Sequence, residues 1–249
     1  MPTPLSILNL NCWLFPPPLS SDCEARLTNI IKIINEHGPD IITLQEIWSN
    51  KHLRYLKDEL SDYTALSSGS MIYNRSGLVT FTKPRPASSK IGFFKLSIKH
   101  NPTEWFLHRG YIKVDLKLNN HDFSIINTHL YAPFSTRAKA ITEHQFEELI
   151  KNIPSSGSVL ISGDLNIDEQ KFAKMNQDKF LRLCDSQPTS DAKNPYSYGR
   201  FNRLMSHENK KIDYMLFRGK ILPKSEYQLI QAPFVSDHYP MFCRLNFEF

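Results

Sequence analysis

The residues able to do chemistry gather in short polar punctuation marks that follow apolar runs. The clearest is Val159-Leu160-Ile161-Ser162-Gly163-Asp164-Leu165-Asn166, where an apolar stretch delivers Asp164 and Asn166 two residues apart. On an extended chain that spacing puts both side chains on one face. The carboxylate can then hold a proton or a metal-bound water while the amide donates to an oxyanion. A plain Gly-Asp turn with an asparagine in left-handed geometry is the other reading. Near the far end, Ser236-Asp237-His238 sets a carboxylate beside an imidazole, a pair able to bind metal and to take a proton. Asp213 lies between Ile212 and Tyr214, so in a strand it faces away from both. A buried carboxylate there needs a donor, either a histidine ring N–H or the neighbouring Lys210 or Lys211. Three further marks are Asn11 before Cys12-Trp13, Glu46 after Gln45, and His129 after Asn127-Thr128. A lone histidine or glutamate of this kind is usually structural. Their common position, each ending an apolar extended run, is what unites them.

Those runs define the elements expected to carry them. Leu5–Asn11, Asp40–Glu46, Ser76–Thr82, Tyr111–Leu118, Phe123–Leu130, Ser158–Ser162, Lys211–Phe217 and Met241–Phe247 read as strands. Ser21-Asp22-Cys23-Glu24 has the spacing of a capping box ahead of Leu27, Ile30, Ile31 and Ile34, which share a helical face, and Gly38-Pro39 ends that helix. Leu53, Leu56 and Leu60 mark a second helix, and Thr136–Asn152 a third. Strands alternating with helices imply an α/β fold, with a more antiparallel middle.

At 249 residues and 41% hydrophobic composition the chain fits one domain, 1–249, with a substantial core. No apolar run approaches the roughly 20 residues that span a bilayer. The start, Met1-Pro2-Thr3-Pro4, lacks a basic region ahead of an apolar one, so a cytoplasmic location is expected; non-classical export would leave no such mark. The four cysteines form no CxxC pair and are expected as reduced thiols. The net charge of +5 is concentrated in two stretches, Lys83–Lys117 and Arg200–Lys224. Such stretches suit an anionic partner (a phosphate ester, a nucleic acid or a membrane surface) or are simply solvated.

Taken in order, Asn-x-Trp, Gln-Glu, Asn-Thr-His, Gly-Asp-x-Asn, Ile-Asp-Tyr and Ser-Asp-His resemble the endonuclease/exonuclease/phosphatase superfamily, over almost the whole chain. Leu10-Asn11-Cys12-Trp13, Glu46-Ile47-Trp48-Ser49, Trp105-Phe106 before Gly110, and Asn127-Thr128-His129-Leu130-Tyr131-Ala132 are most similar to neutral sphingomyelinases. Abasic-site endonucleases of the superfamily carry an acidic residue where this chain has Trp13. The resemblance implies a deoxyribonuclease I-like, four-layered α/β sandwich: two stacked mixed sheets flanked by helices. It also implies a metal-dependent hydrolase of phosphate esters using Mg²⁺, or Mn²⁺. Carried over, Glu46 binds the metal and Asn11 supports it or the scissile phosphate, with Asp237 as a second metal or water ligand. His238 acts as general base oriented by Asp213, Asp164 positions the nucleophile, and Asn166 and His129 stabilise the transition state. The expected partner is a phosphodiester, either phospholipid with peripheral membrane contact or nucleic acid in a nuclease, handled by a monomer. A non-catalytic module that kept the fold is disfavoured by the intact set. Ile91–Gly110, with Phe93, Phe94, Trp105 and Phe106 among lysines and arginines, is expected to decide between lipid and nucleic acid.

Overall fold

The computed structural model describes residues 3–70, 72–95, 107–132, 136–154, 156–176, 180–183, 197–198, 210–219, 224–231 and 234–247. Two six-stranded mixed sheets are stacked between helices, as the resemblance implies. In chain order the first sheet contributes β1 (Thr3–Leu14), β2 (Ile41–Ile47), β3 (Thr64–Gly69), β4 (Asn74–Thr82), β11 (Lys224–Leu229) and β12 (Met241–Phe247). Its strand order is β11-β12-β1-β2-β4-β3. The second holds β5 (Ser88–Phe93), β6 (Gly110–Leu118), β7 (His121–His129), β8 (Ser158–Asp164), β9 (Leu181–Arg182) and β10 (Asp213–Arg218), ordered β5-β6-β7-β8-β10-β9.

Each sheet has a parallel pair at its centre, because each contains one strand–helix–strand crossover. Helix α1 (Cys23–His37) links β1 to β2, and α3 (Thr136–Lys151) links β7 to β8. An antiparallel strand then flanks each pair, β12 beside β1 and β10 beside β8. Alternation along β1 and β2 splits the apolar side chains. Leu8, Leu10, Ile42 and Leu44 pack outward with Leu27, Ile30 and Ile34 of α1 and with Leu53 and Leu56 of α2 (Asn50–Glu59). Ile7 and Ile41 pack inward with Ile112, Ile125 and Leu160 of the second sheet. On the far side of that sheet, Phe146 of α3 meets Phe172 of α4 (Glu169–Asn176), and Phe172 stacks on Tyr214 at 4.5 Å between ring centroids. The layers therefore run helix, sheet, sheet, helix.

The inter-sheet layer is not wholly apolar. Thr43 Oγ1 and Ser162 Oγ lie 2.8 Å apart across it, and Gln45 Nε2 donates to both Asn9 Oδ1 and Asn127 Oδ1 at 2.9 Å. Asn127 Nδ2 in turn donates to the carbonyl oxygens of Leu44 and Val79. Buried polar groups must be paired, and these pair with each other across the two sheets, fixing how one is docked on the other.

Two expectations need correcting. The capping box does not form: Asp22 takes a left-handed conformation with no side-chain cap, and Glu24 is drawn instead to Lys51 at 2.7 Å. The unanticipated strands β3, β5, β9 and β11 are the four sheet edges. Their outer faces meet water, so segments such as Ser88–Phe93 and Lys224–Leu229 carry the polar residues that protect an edge rather than an apolar run. The C-terminal stop at Gly38 is as read, in left-handed geometry with its N–H donating to Ile34 O. Among the described residues no helix is long and apolar enough to cross a membrane. Cys12, Cys23 and Cys243 are in no disulfide, the first and last buried and Cys23 half-buried; Cys184 lies outside the described residues.

Candidate active site

The topology brings the polar marks to one edge. A parallel pair ends both its strands at the same side, and an antiparallel neighbour begins there. In the second sheet a single row of cross-strand partners reads Gly110–His129–Asp164–Asp213. In the first sheet the ends of β1 and β2 supply Asn11 and Glu46, and the loop entering β12 supplies Asp237 and His238. All eight sequence-predicted site residues arrive at this edge, and seven are buried: Asn11, Glu46, His129, Asp164, Asp213, Asp237 and His238. Asn166 is half-buried.

Asp164 is the hub. Its Oδ2 accepts from Asn11 Nδ2 at 3.0 Å and lies 3.4 Å from His129 Nε2 and 3.8 Å from His238 Nε2. Its Oδ1 accepts the backbone N–H of Asn166 at 2.9 Å. His238 Nδ1 is 2.7 Å from Asp213 Oδ2, so the donor sought for Asp213 is this ring and not a lysine. His238 Nε2 points back toward Asp164 and toward Asp237, whose Oδ1 is 3.9 Å away. His129 Nε2 is 3.9 Å from Glu46 Oε1. Asn11 is turned differently from a simple ligand, because its Oδ1 accepts from Trp13 N–H at 3.1 Å while its amide serves Asp164.

Asn166 is placed by a turn and not by the strand. β8 ends at Asp164, Asn166 has φ 51°, and its Nδ2 donates to Leu130 O at 3.0 Å. Among the described residues the second amide hydrogen has no acceptor, which leaves it for a ligand. Trp13 (φ 48°) and Glu46 (φ 60°) are also in left-handed geometry, unusual for such side chains and costly without support. The strand ends at this edge are bent to aim side chains. Gly163 is required for a related reason: at φ 155° a Cβ would run into the backbone carbonyl of Thr128.

The crowding of carboxylates in a dry site sets the charges. Burial raises Glu46 to about 7 against the pull of Arg109, with Asp237 and Asp164 adding to the rise. Burial and the neighbouring Asp213 raise Asp164 to about 7 as well. Burial, helped by the positive charges of Arg109 and His238, holds His129 well below the ordinary histidine value. For His238, burial pulls the other way, but the charge and hydrogen bond of Asp213, with Asp237 and Asp164, push it up to about 10. Glu46 Oε2 is buried with no hydrogen-bond partner among the described residues. Oxygen-rich, like-charged and partly unpaired, this end of the site fits a hard divalent cation. Asp164, Asp213 and His238 also bring ligand atoms within 4.8 Å of one another. The 2.7 Å bond between the last two commits those atoms to each other.

Several residues were not anticipated. Ser236 Oγ donates to Asn11 O at 2.6 Å and accepts His238 N–H at 3.1 Å, tying the loop that enters β12 to the end of β1 within the first sheet. Arg26, 1% exposed, donates to Cys12 O, Trp13 O, Val235 O, Ser21 O and Ser20 Oγ, pinning the same two loops from beneath. A signal existed: Arg26 falls on the apolar stripe of α1, four residues before Ile30. Arg109 is buried and lies over the Trp48 ring at 5.9 Å. Tyr198 packs its ring edge-on to His238 at 5.0 Å; no pattern in the sequence marks either of these. Phe94 is core while Phe93 is 38% exposed; Trp105 and Phe106 lie outside the described residues.

Comparison with known proteins gives the family and the fold. Residues 8–238 match the model of the endonuclease/exonuclease/phosphatase family. Human sphingomyelin phosphodiesterase 2 is 28% identical over 176 residues, covering 66% of this chain and 41% of that protein. The chain thus spans about two fifths of that relative's length. Among solved structures, sphingomyelinase C from Streptomyces griseocarneus superposes with TM-score 0.77 at 20% identity, covering 97% of this chain and 99% of that one. TDP2 of D. rerio complexed with single strand DNA product gives TM-score 0.77 at 16% identity, covering 98% and 99%. These likenesses establish the deoxyribonuclease I-like fold, and with the match over residues 8–238 the chain belongs to the endonuclease/exonuclease/phosphatase family.

Proposed function

We propose that this chain is a divalent-metal-dependent phosphodiesterase, using Mg²⁺, that cleaves a phospholipid with an apolar leaving group. The observation that carries the lipid reading is a pocket of about 770 Å³ lined by Leu14, Phe15, Pro16, Pro17, Trp48 and Tyr73, with His52 and Glu24 beside them. That volume is within the range of small-molecule sites. It opens at the ends of β1 and β2, where Leu14 and Ile47 are register partners, immediately beyond Asn11 and Glu46. A hydrolysed phosphate held at the carboxylates would have apolar surface on one side. The sphingomyelinase relatives support the same reading.

Glu46 would hold the metal, with Asp237 as a second ligand and Asn11 in support. A divalent cation there supplies positive charge against the phosphate, and the same charge opposes the carboxylates that hold a proton on His238. The protein's own groups do the rest. His238 takes the proton of the attacking water at Nε2, with Asp213 fixing the ring through Nδ1. Asp164 aligns that water, and Asn11 holds Asp164 in place. His129, kept neutral by burial, and the free amide hydrogen of Asn166 donate to the phosphoryl oxygens as charge builds.

A nuclease is the second reading. Arg75 over the Phe93 ring at 5.2 Å, with His108 edge-on to Phe93, is a basic–aromatic cluster of the kind that stacks bases. The deciding experiment compares sphingomyelin and lysophospholipids in mixed micelles, single- and double-stranded DNA, RNA and bis-p-nitrophenyl phosphate, all in Mg²⁺. Replacing Phe15 and Tyr73 with Ser should cut lipid hydrolysis selectively and spare the soluble ester. Turnover of DNA or RNA with lipids untouched refutes the lipid assignment.

A further inference from the structure

Tyr198 is 5% exposed, and its hydroxyl is buried with no hydrogen-bond partner among the described residues. Burying a phenol without a partner costs free energy, and this chain does not do so by habit. Tyr63 donates to Pro39 O at 2.6 Å, and Tyr214 donates to Ile167 O at 2.9 Å. The Tyr198 ring could pack on His238 equally well as phenylalanine, so packing does not explain the oxygen.

Its position is held firmly. The backbones of Tyr198 and Lys210 exchange two hydrogen bonds, at 3.0 and 3.2 Å, and Tyr198 also bridges His238. Next to it, Ser197 Oγ accepts the backbone N–H groups of Ile212 and Asp213 at 3.1 and 3.0 Å, and Ser197 O accepts Tyr239 N–H at 2.8 Å. The segment is therefore clamped between the start of β10 and the loop that carries Asp237 and His238. The phenol sits within electrostatic reach of the Asp237, Asp164 and Glu46 carboxylates, yet donates to none of them. Burial and those three negative charges raise its proton affinity, so the group remains a neutral donor.

A fixed donor in the midst of the site's acceptors, bonded to none, needs an acceptor that the described residues do not supply. We propose that Tyr198 is a catalytic residue whose hydroxyl donates to a non-bridging oxygen of the substrate phosphate on the His238 side of the site. This rests on the phosphodiesterase reading above. As the phosphoryl group passes through its transition state, charge on those oxygens is stabilised by positioned donors, and the hydrogen bond strengthens there.

The test is Tyr198→Phe, which deletes one oxygen and keeps the ring against His238. With bis-p-nitrophenyl phosphate in Mg²⁺, kcat should fall about 10- to 100-fold, the range for a lost hydrogen bond to a charged group. KM should stay within about threefold. Affinity for orthovanadate, measured by calorimetry in Mg²⁺, should fall about tenfold or more, and Tm should hold or rise because an unpaired buried hydroxyl is gone. Both kcat and vanadate affinity within about twofold of the parent overturn the proposal. So does a lower Tm with both losses in proportion to unfolded protein, which would make the hydroxyl structural. A parent protein that neither hydrolyses the diester nor binds vanadate overturns this proposal together with the phosphodiesterase reading. A parent that does both, with an unaffected Phe variant, refutes only the role of Tyr198.

Discussion

Asp213→Asn is the sharpest probe of the catalytic pair. Asp213 is 1% exposed and bonds His238 Nδ1 at 2.7 Å. Asparagine is nearly isosteric, so the backbone row Gly110–His129–Asp164–Asp213 should survive. Its amide can donate to Nδ1, which forces the proton onto Nε2, the atom that must accept one. In an unrelated serine protease the corresponding swap costs about 10⁴ in kcat through the wrong tautomer, and a loss on the order of 10³ to 10⁴ is expected here. Stability carries an independent signature. His238 is pushed from 6.5 up to about 10, chiefly by Asp213 once burial is overcome. A histidine raised by folding adds stability that is complete below about 6.5 and is lost as pH rises toward about 10. Breaking one side of a buried pair costs about 3 kcal/mol or more. The variant should therefore be about 3 kcal/mol less stable in urea at pH 6, with the gap narrowing steadily toward pH 10. Because the two residues act as a unit, the double variant Asp213→Asn/His238→Ala should be little worse in kcat than His238→Ala alone. A stability gap independent of pH, or losses that multiply in the double variant, would refute the dyad.

Glu46→Gln should shift the Mg²⁺ dependence of activity to much higher concentration without unfolding the protein; an unchanged Mg²⁺ curve removes Glu46 from the metal. Burial raises Glu46 to about 7, so in chelator the parent should lose stability as pH rises from about 4.5 to 7, and the glutamine variant should lose less. Arg26→Met should cost about 3 kcal/mol, because five backbone and hydroxyl acceptors lose a buried charged donor at once. Melts that overlay the parent's would show that the two loops hold themselves.

The central strands and the polar residues of the candidate site are legible because both obey local rules. A strand buried on both faces must be apolar, as in Val159–Ile161, and a functional side chain must come where that run stops, as at Asp164. The order of the motifs then pointed to the fold. The edge strands obey a different rule, the need to discourage pairing, and so look like loops. Asn166 was assigned to the right neighbourhood for the wrong local reason, since the i, i+2 alternation ends at Asp164 and a side-chain turn takes over. Arg109 and Tyr198 could not be read at all. Each gains its meaning from neighbours about 60 or 40 residues away in sequence (Trp48 for one and His238 for the other), and no spacing within their own segments encodes that meeting.

The seam between the two sheets has a kinetic consequence. Glu46 belongs to one sheet and Asp164 to the other, and the polar key from Asn9 through Gln45 to Asn127 sets the register of the seam. Neither sheet alone owns the whole candidate set, and Glu46 and Asp164 lie far apart in the chain. Loops that long close slowly, so folding should reach native secondary structure well before it reaches turnover. Refolding followed by circular dichroism and by hydrolysis in parallel should show the enzyme signal arriving last, as a clock for the moment the halves meet. For the same reason, mild denaturant that loosens the seam should silence the site while both sheets still stand.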